Sequence, residues 1–134
     1  MLIWVSPVAQ EAFLEAKIRN HLNIVNDGVE ALEFLRRQGK FGGVPKVDLI
    51  MLDINLPRKN GLEVLSEIKV DQALRRIPVV ILTTSKSEGD ILKSYDLQAS
   101  CYVAKPIDFD QFMEVMRTIE EFWLSVVKLP ITRE

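Results

Sequence analysis

Five short runs rich in β-branched residues, Leu2–Val5, Leu22–Val25, Val47–Leu52, Pro78–Leu82 and Ser100–Ala104, alternate with stretches whose apolar residues recur every three or four positions. Short apolar runs bounded by turn signals read as buried strands, and the 3–4 spacing reads as helix. Strands joined by helical crossovers run parallel, and the crossovers place helices on the sheet faces. The expected fold is α/β: a flavodoxin-like, doubly wound five-stranded parallel sheet of order 2-1-3-4-5 with helices on both faces. The helical stripes are Val29, Leu32 and Leu35, then Leu62, Leu65 and Ile68, then a thin one through Ile91, Leu92 and Tyr95. The last helix has the clearest stripe, running through Phe112, Val115, Met116, Ile119, Phe122, Trp123 and Val126.

A chain of 134 residues has room for one such domain, expected over 1–128 with a tail over 129–134. A net charge of -2 without a basic stripe argues against nucleic-acid binding. The longest apolar stretches, Leu49–Leu52 and Val79–Leu82, are too short to cross a bilayer, and no charged-then-apolar leader is visible. A single cysteine, Cys101, cannot close an internal disulfide and reads as a small apolar strand residue. A cytoplasmic protein is expected. His21, between the first helix and the second strand, reads as a surface residue.

The loops carry their own signals. Asp27 is placed to cap the helix after the second strand, and Gly61 to let the turn after Asp53 close. Ser6-Pro7 has the form of an N-cap followed by the proline favoured at a first helical position. Residues 38–46, with three glycines and a proline, read as a flexible surface loop.

Three strand ends each carry a polar residue: Asp53 after Leu49–Leu52, Thr83 after Pro78–Leu82, and Lys105 after Ser100–Ala104. In the order 2-1-3-4-5 these strands are neighbours, and ligands of open α/β sheets bind outside the carboxyl ends of strands. A carboxylate, a hydroxyl and an ammonium at one sheet edge suit phosphoryl transfer. The carboxylate attacks phosphorus while the other two stabilise the equatorial oxygens.

The segments Leu52-Asp53-Ile54-Asn55-Leu56-Pro57 with Gly61, Leu82-Thr83-Thr84-Ser85 and Tyr102-Val103-Ala104-Lys105-Pro106 resemble the receiver domains of two-component response regulators, the CheY-like family. The resemblance runs from about Glu15 to Lys128. Through Asn26-Asp27-Gly28-Val29-Glu30-Ala31, Ser94-Tyr95-Asp96-Leu97 and Ile119-Glu120-Glu121-Phe122-Trp123-Leu124 it is closest to the stand-alone regulators that partner cyanobacterial phytochromes. It implies a signalling protein rather than an enzyme, in which Asp53 accepts a phosphoryl group from a sensor histidine kinase. Thr83 and Lys105 would contact that group, and Tyr102 would be an aromatic switch. Mg²⁺ would be held by Asp53 and the backbone carbonyl of Asn55, and the Lys105–Pro106 bond would be cis.

One departure stands out. Receivers usually end the first strand with two adjacent carboxylates that complete the Mg²⁺ site, whereas here Ser6-Pro7-Val8-Ala9-Gln10 follows Leu2–Val5. The only acids before Asp27 are Glu11 and Glu15, four apart on an expected helix. That helix is also shorter than the family's by about two turns, on the order of 10 Å. Mg²⁺ prefers near-octahedral oxygen ligands, so Asp53 alone implies weak or absent binding and slow or absent phosphorylation. Either the start of the chain is altered, or the chain is a phosphorylation-independent pseudo-receiver; retention of Asp53, Thr83 and Lys105 favours the first.

Output is expected through protein contact, with Tyr102, Phe122 and Trp123 on a homodimer face formed by the fifth strand and its flanking helices. A flavodoxin-like cofactor binder would need a glycine- or hydroxyl-rich phosphate loop after the first strand. Ser6-Pro7-Val8-Ala9-Gln10 offers none.

Overall fold

The computed structural model describes residues 2–5, 22–44, 46–54, 56–83, 91, 93, 95–104 and 109–122. Five strands, β1 (Leu2–Val5), β2 (Leu22–Val25), β3 (Leu49–Asp53), β4 (Val79–Thr83) and β5 (Cys101–Ala104), form one sheet of order β2-β1-β3-β4-β5. Every pairing is parallel. The described helices are α1 (Gly28–Leu35), α2 (Gly61–Val70) and α3 (Phe109–Glu121), with further helical residues at 91, 93, 95 and 96. The expected α/β fold and strand order are what the chain adopts. Ser6-Pro7, His21 and the tail at 129–134 lie outside the described residues.

Alternation along the strands sorts the sheet into two apolar faces. Ile3, Val5, Val25, Ile50, Leu52, Val79 and Ile81 pack with residues of α1 and α2. Trp4, Leu49, Met51, Val80 and Leu82 face the other way and pack with Ile119 of α3. All five residues of β3 are buried, as a central strand covered on both faces requires.

The helix stripes differ in detail from the expected ones. On α1, Ala31, Leu32, Phe34 and Leu35 are buried while Val29 is only partly covered; on α2, Val64 joins Leu65 and Ile68 while Leu62 is partly exposed. Each helix packs against both the sheet and the other helix, so its buried arc is wider than one stripe. Among the described side chains of the last helix Ile119 is buried, whereas Phe122 stands 49% exposed.

Residues 38–46 are also less loose than their glycines suggest. A 3-10 turn at Gly39–Phe41 brings the Phe41 ring to 5.0 Å from Phe34, and Phe41 and Val44 pack on the core. Two apolar anchors outweigh the conformational freedom of the glycines beside them.

Candidate functional site

Asp53 is the last residue of β3 and is 6% exposed, one of two buried acids among the described residues. Its position follows from register. Leu52 pairs with Val5 of β1, and Asp53 pairs with Leu82 of β4, so the carboxylate stands at the carboxyl end of the central strands. The turn beyond it is held tightly. Gly61 donates its N–H to Ile54 O at 2.7 Å, and Leu56 donates to the same carbonyl at 3.1 Å. A Cβ on Gly61 would fall inside van der Waals contact of the Asp53 carbonyl oxygen. Gly61 is therefore required by close backbone approach.

Asn60 then starts α2 with a reciprocal cap: its side chain accepts from Glu63 N at 2.9 Å, and Glu63 Oε1 accepts from Asn60 N at 3.2 Å.

The same turn is clasped to the start of α1. Asp27 caps that helix as expected, its Oδ1 accepting from Glu30 N at 2.8 Å. Its Oδ2 accepts from Arg58 Nη1 at 3.2 Å. Arg58 holds a left-handed φ of 66°, an uncommon conformation for a residue with a side chain. Gly28 donates to Pro57 O at 3.4 Å, and a Cβ there would collide with the Lys59 carbonyl oxygen.

One contact at the site had no local signal in the sequence. The indole Nε1 of Trp4, on β1, donates to Asp53 Oδ1 at 3.3 Å across the sheet interior. Trp4 pairs in register with Met51, two residues before Asp53, so its ring reaches one pleat forward on the same face.

Thr83 ends β4 one residue past the partner of Asp53, and it pairs with Ala104, the last residue of β5. The backbone thus brings the ends of β3, β4 and β5 side by side, strands spaced about 5 Å apart, and Lys105 follows Ala104 in the chain. The side-chain positions of Thr83 and Lys105 lie outside the described residues, as do Asn55, Pro106 with its peptide bond, and Trp123. Tyr102 pairs in register with Ile81 and packs partly buried against the α1–α2 side of the core.

Among the described residues no group of three or more acids, histidines or cysteines could hold a metal ion. Among the described residues, Asp53 is the carboxylate that itself ends a strand, and it accepts from Trp4; Ser6-Pro7-Val8-Ala9-Gln10 directly after β1 contains no acid. A Mg²⁺ centre needs a shell of several oxygens, of which the Asp53 carboxylate can supply part.

Comparison with known proteins gives a consistent result. Residues 8–117 match the response regulator receiver domain family. The chain is 44% identical to response regulator Rcp1 of Synechocystis sp. over 125 residues, 93% of this chain and 85% of that protein. It is similar to the solved structure of the phosphorylated cyanobacterial phytochrome response regulator RcpA, with a TM-score of 0.88, 41% identity, and coverage of 97% of this chain and 98% of that one. The Mn²⁺-bound form of Rcp1 is similar too, with a TM-score of 0.86, 39% identity, and coverage of 97% and 99%.

Proposed function

Since the chain belongs to the response regulator receiver domain family, we propose that it relays a signal by accepting a phosphoryl group on Asp53 from the phosphohistidine of a sensor kinase, in keeping with its relatives a phytochrome. The observation that carries this reading is the buried Asp53 carboxylate at the end of the central strand, with the ends of β4 and β5 beside it. A carboxylate oxygen attacks phosphorus, the P–N bond to the imidazole breaks, and an acyl phosphate forms. Thr83 and Lys105 are assigned to the equatorial oxygens, where hydroxyl and ammonium groups stabilise developing charge. Tyr102 is assigned as the switch between this site and the outer face of β5. Its output is proposed to be contact with other proteins.

Divalent metal at this site is proposed to bind weakly, at Asp53 with the backbone carbonyl of Asn55, because one carboxylate supplies little of the charge that Mg²⁺ needs. No chemical step is routed through it. Homodimerisation is proposed through the β5–α3 face, supported by the exposed Phe122 with Trp123 next to it in sequence. Sedimentation of wild type and Trp123→Ala tests this, and a monomer in both removes the dimer.

The function itself is tested by mass spectrometry after incubation with acetyl phosphate and Mg²⁺. A phosphoryl adduct confined to the Asp53 peptide and missing from Asp53→Asn is expected. Wild type that stays unmodified at long times overturns the proposal.

A further inference from the structure

Away from Asp53, an open cleft of about 500 Å³ lies at the amino ends of β3 and β4, between the end of α1, residues 46–48 and the turn at 71–78. Its floor is apolar: Leu35, Val47 and Leu74 are buried beneath it, and Ile77 and Pro78 are partly exposed. Its rim is basic. Arg36, Arg37, Lys46 and Arg76 stand against Asp48 and Asp71, four positive charges to two, in a chain of net charge -2. Glu67, which pairs with Arg36 from outside the lining, leaves the excess positive.

Two of these arginines are set in place by the main chain. Lys69 Nζ donates to Arg75 O at 3.1 Å and to Ile77 O at 3.0 Å, and Asp71 Oδ1 accepts from Ala73 N at 2.8 Å. The backbone is thereby tied on both sides of Arg76, which is exposed and makes no ion pair among the described residues. Arg37 closes α1 in a left-handed conformation, φ 54°, with Gln38 N donating to Glu33 O at 2.9 Å and Arg37 N to Phe34 O at 3.1 Å. Glycine is the usual residue at this point of such a turn, and a side chain there is strained. The arginine stands where the helix end alone favours glycine, and it lines the cleft.

We propose that this cleft is a docking site for a short acidic peptide segment of a partner protein, with an aliphatic side chain on the floor and carboxylates on the basic rim. Charge complementarity selects this occupant. The cations come from three separate chain segments and surround an apolar floor, which suits carboxylates spaced along a peptide on either side of an apolar residue. A compact phosphate would meet Asp48 and Asp71 on the same wall. Arg36 lies 3.5 Å from both Glu67 and Asp71, and exposed pairs of this kind re-form at little cost, so it can turn to an incoming carboxylate. A site of this size gives a weak and transient contact, quickened by electrostatic steering. This docking does not depend on phosphorylation of Asp53.

The test is an NMR titration of the ¹⁵N-labelled chain with the peptide acetyl-Glu-Asp-Leu-Asp-Glu-amide. Saturable shifts are expected on the amides of Val47, Ala73 and Ile77, weakening as salt is raised. Arg76→Glu is expected to raise Kd about fivefold, since a favourable exposed pair becomes a like-charge contact. Arg37→Gly, which the left-handed turn accepts, should weaken binding too, and it decides should Arg76→Glu be destabilised. No saturable shift at the cleft, or unchanged affinity in a folded Arg76→Glu, overturns the proposal. Equal binding of acetyl-Lys-Lys-Leu-Lys-Lys-amide overturns it as well. Equal shifts from inorganic phosphate would make the cleft a small-anion site, and shifts that grow with protein concentration alone would make it a contact between two copies of the chain. Either result overturns the peptide.

Discussion

At the carboxyl end of the strands backbone meets backbone: Gly61 against the Asp53 carbonyl, Gly28 against Lys59, and Asp27 bonded to both Glu30 N and Arg58. At the opposite end charged side chains meet in water. Arg36 lies 3.5 Å from both Glu67 and Asp71, about a third of its side chain exposed, and Lys69 Nζ donates to the carbonyls of Arg75 and Ile77. An open cleft of about 500 Å³ lies there, lined by Leu35, Arg36, Lys46, Asp71, Arg76 and Pro78 among others. Close backbone packing leaves no room for adjustment, whereas exposed ion pairs re-form in many geometries and contribute little each. Among the described residues, the end that carries Asp53 is the more closely packed one.

This contrast can be broken by mutation, and the largest effect is expected at Gly61. Gly61→Ala should cost about 3 kcal/mol, because the new methyl group meets backbone on β3 that cannot withdraw. Urea unfolding measures this, and a near-neutral result would mean the turn is softer than the contrast holds. Asp27→Ala removes both the cap on α1 and the partner of Arg58, and should cost about 1–2 kcal/mol. Asp27→Asn keeps a capping oxygen and should recover most of that loss in the same assay. Asn60→Ala breaks the reciprocal cap on α2 and should cost about 1 kcal/mol.

The smallest effect belongs to Glu67. Its hydrogen bond to Lys59, with added attraction from Lys59 and Arg36, outweighs partial burial and holds its carboxyl below the ordinary value of 4.5. A depressed folded value means that the contribution is present above the unfolded value and is lost as pH falls through the folded one. Glu67→Gln should cost no more than about 1 kcal/mol at neutral pH, less in high salt and almost nothing in acid. Paired denaturation curves at two salt concentrations and two pH values check this; a cost that persists in acid would mean that it does not come from the ion pairs of Glu67.

The fold was legible because five apolar runs and their helical spacers leave few parallel topologies open. β1 and β2 begin and end where the sequence placed them, while β3 begins two residues later and β4 one residue later than expected, and each ends one residue further on, taking in Asp53 and Thr83. Asp27 and Gly61 were read from turn chemistry, although Gly61 proves necessary through crowding rather than through an unusual φ. The Trp4 bond was not legible. Its partners are 49 residues apart, and only knowledge of which strands touch, and in what register, sets an indole beside that carboxylate. Phe41 escaped for a similar reason: its anchor is Phe34, and nothing in the glycines around it announces that contact.

The crowding of Gly61 against the Asp53 peptide bears on how a message could leave this site. Under the proposed function, a doubly charged group on that side chain would have to be accommodated somewhere, and the strand that would bear it is pinned from behind like an anvil. Yielding is then left to whatever surrounds the new charge, so the ends of β4 and β5, rather than the acceptor's own main chain, are where displacement would be read by a partner.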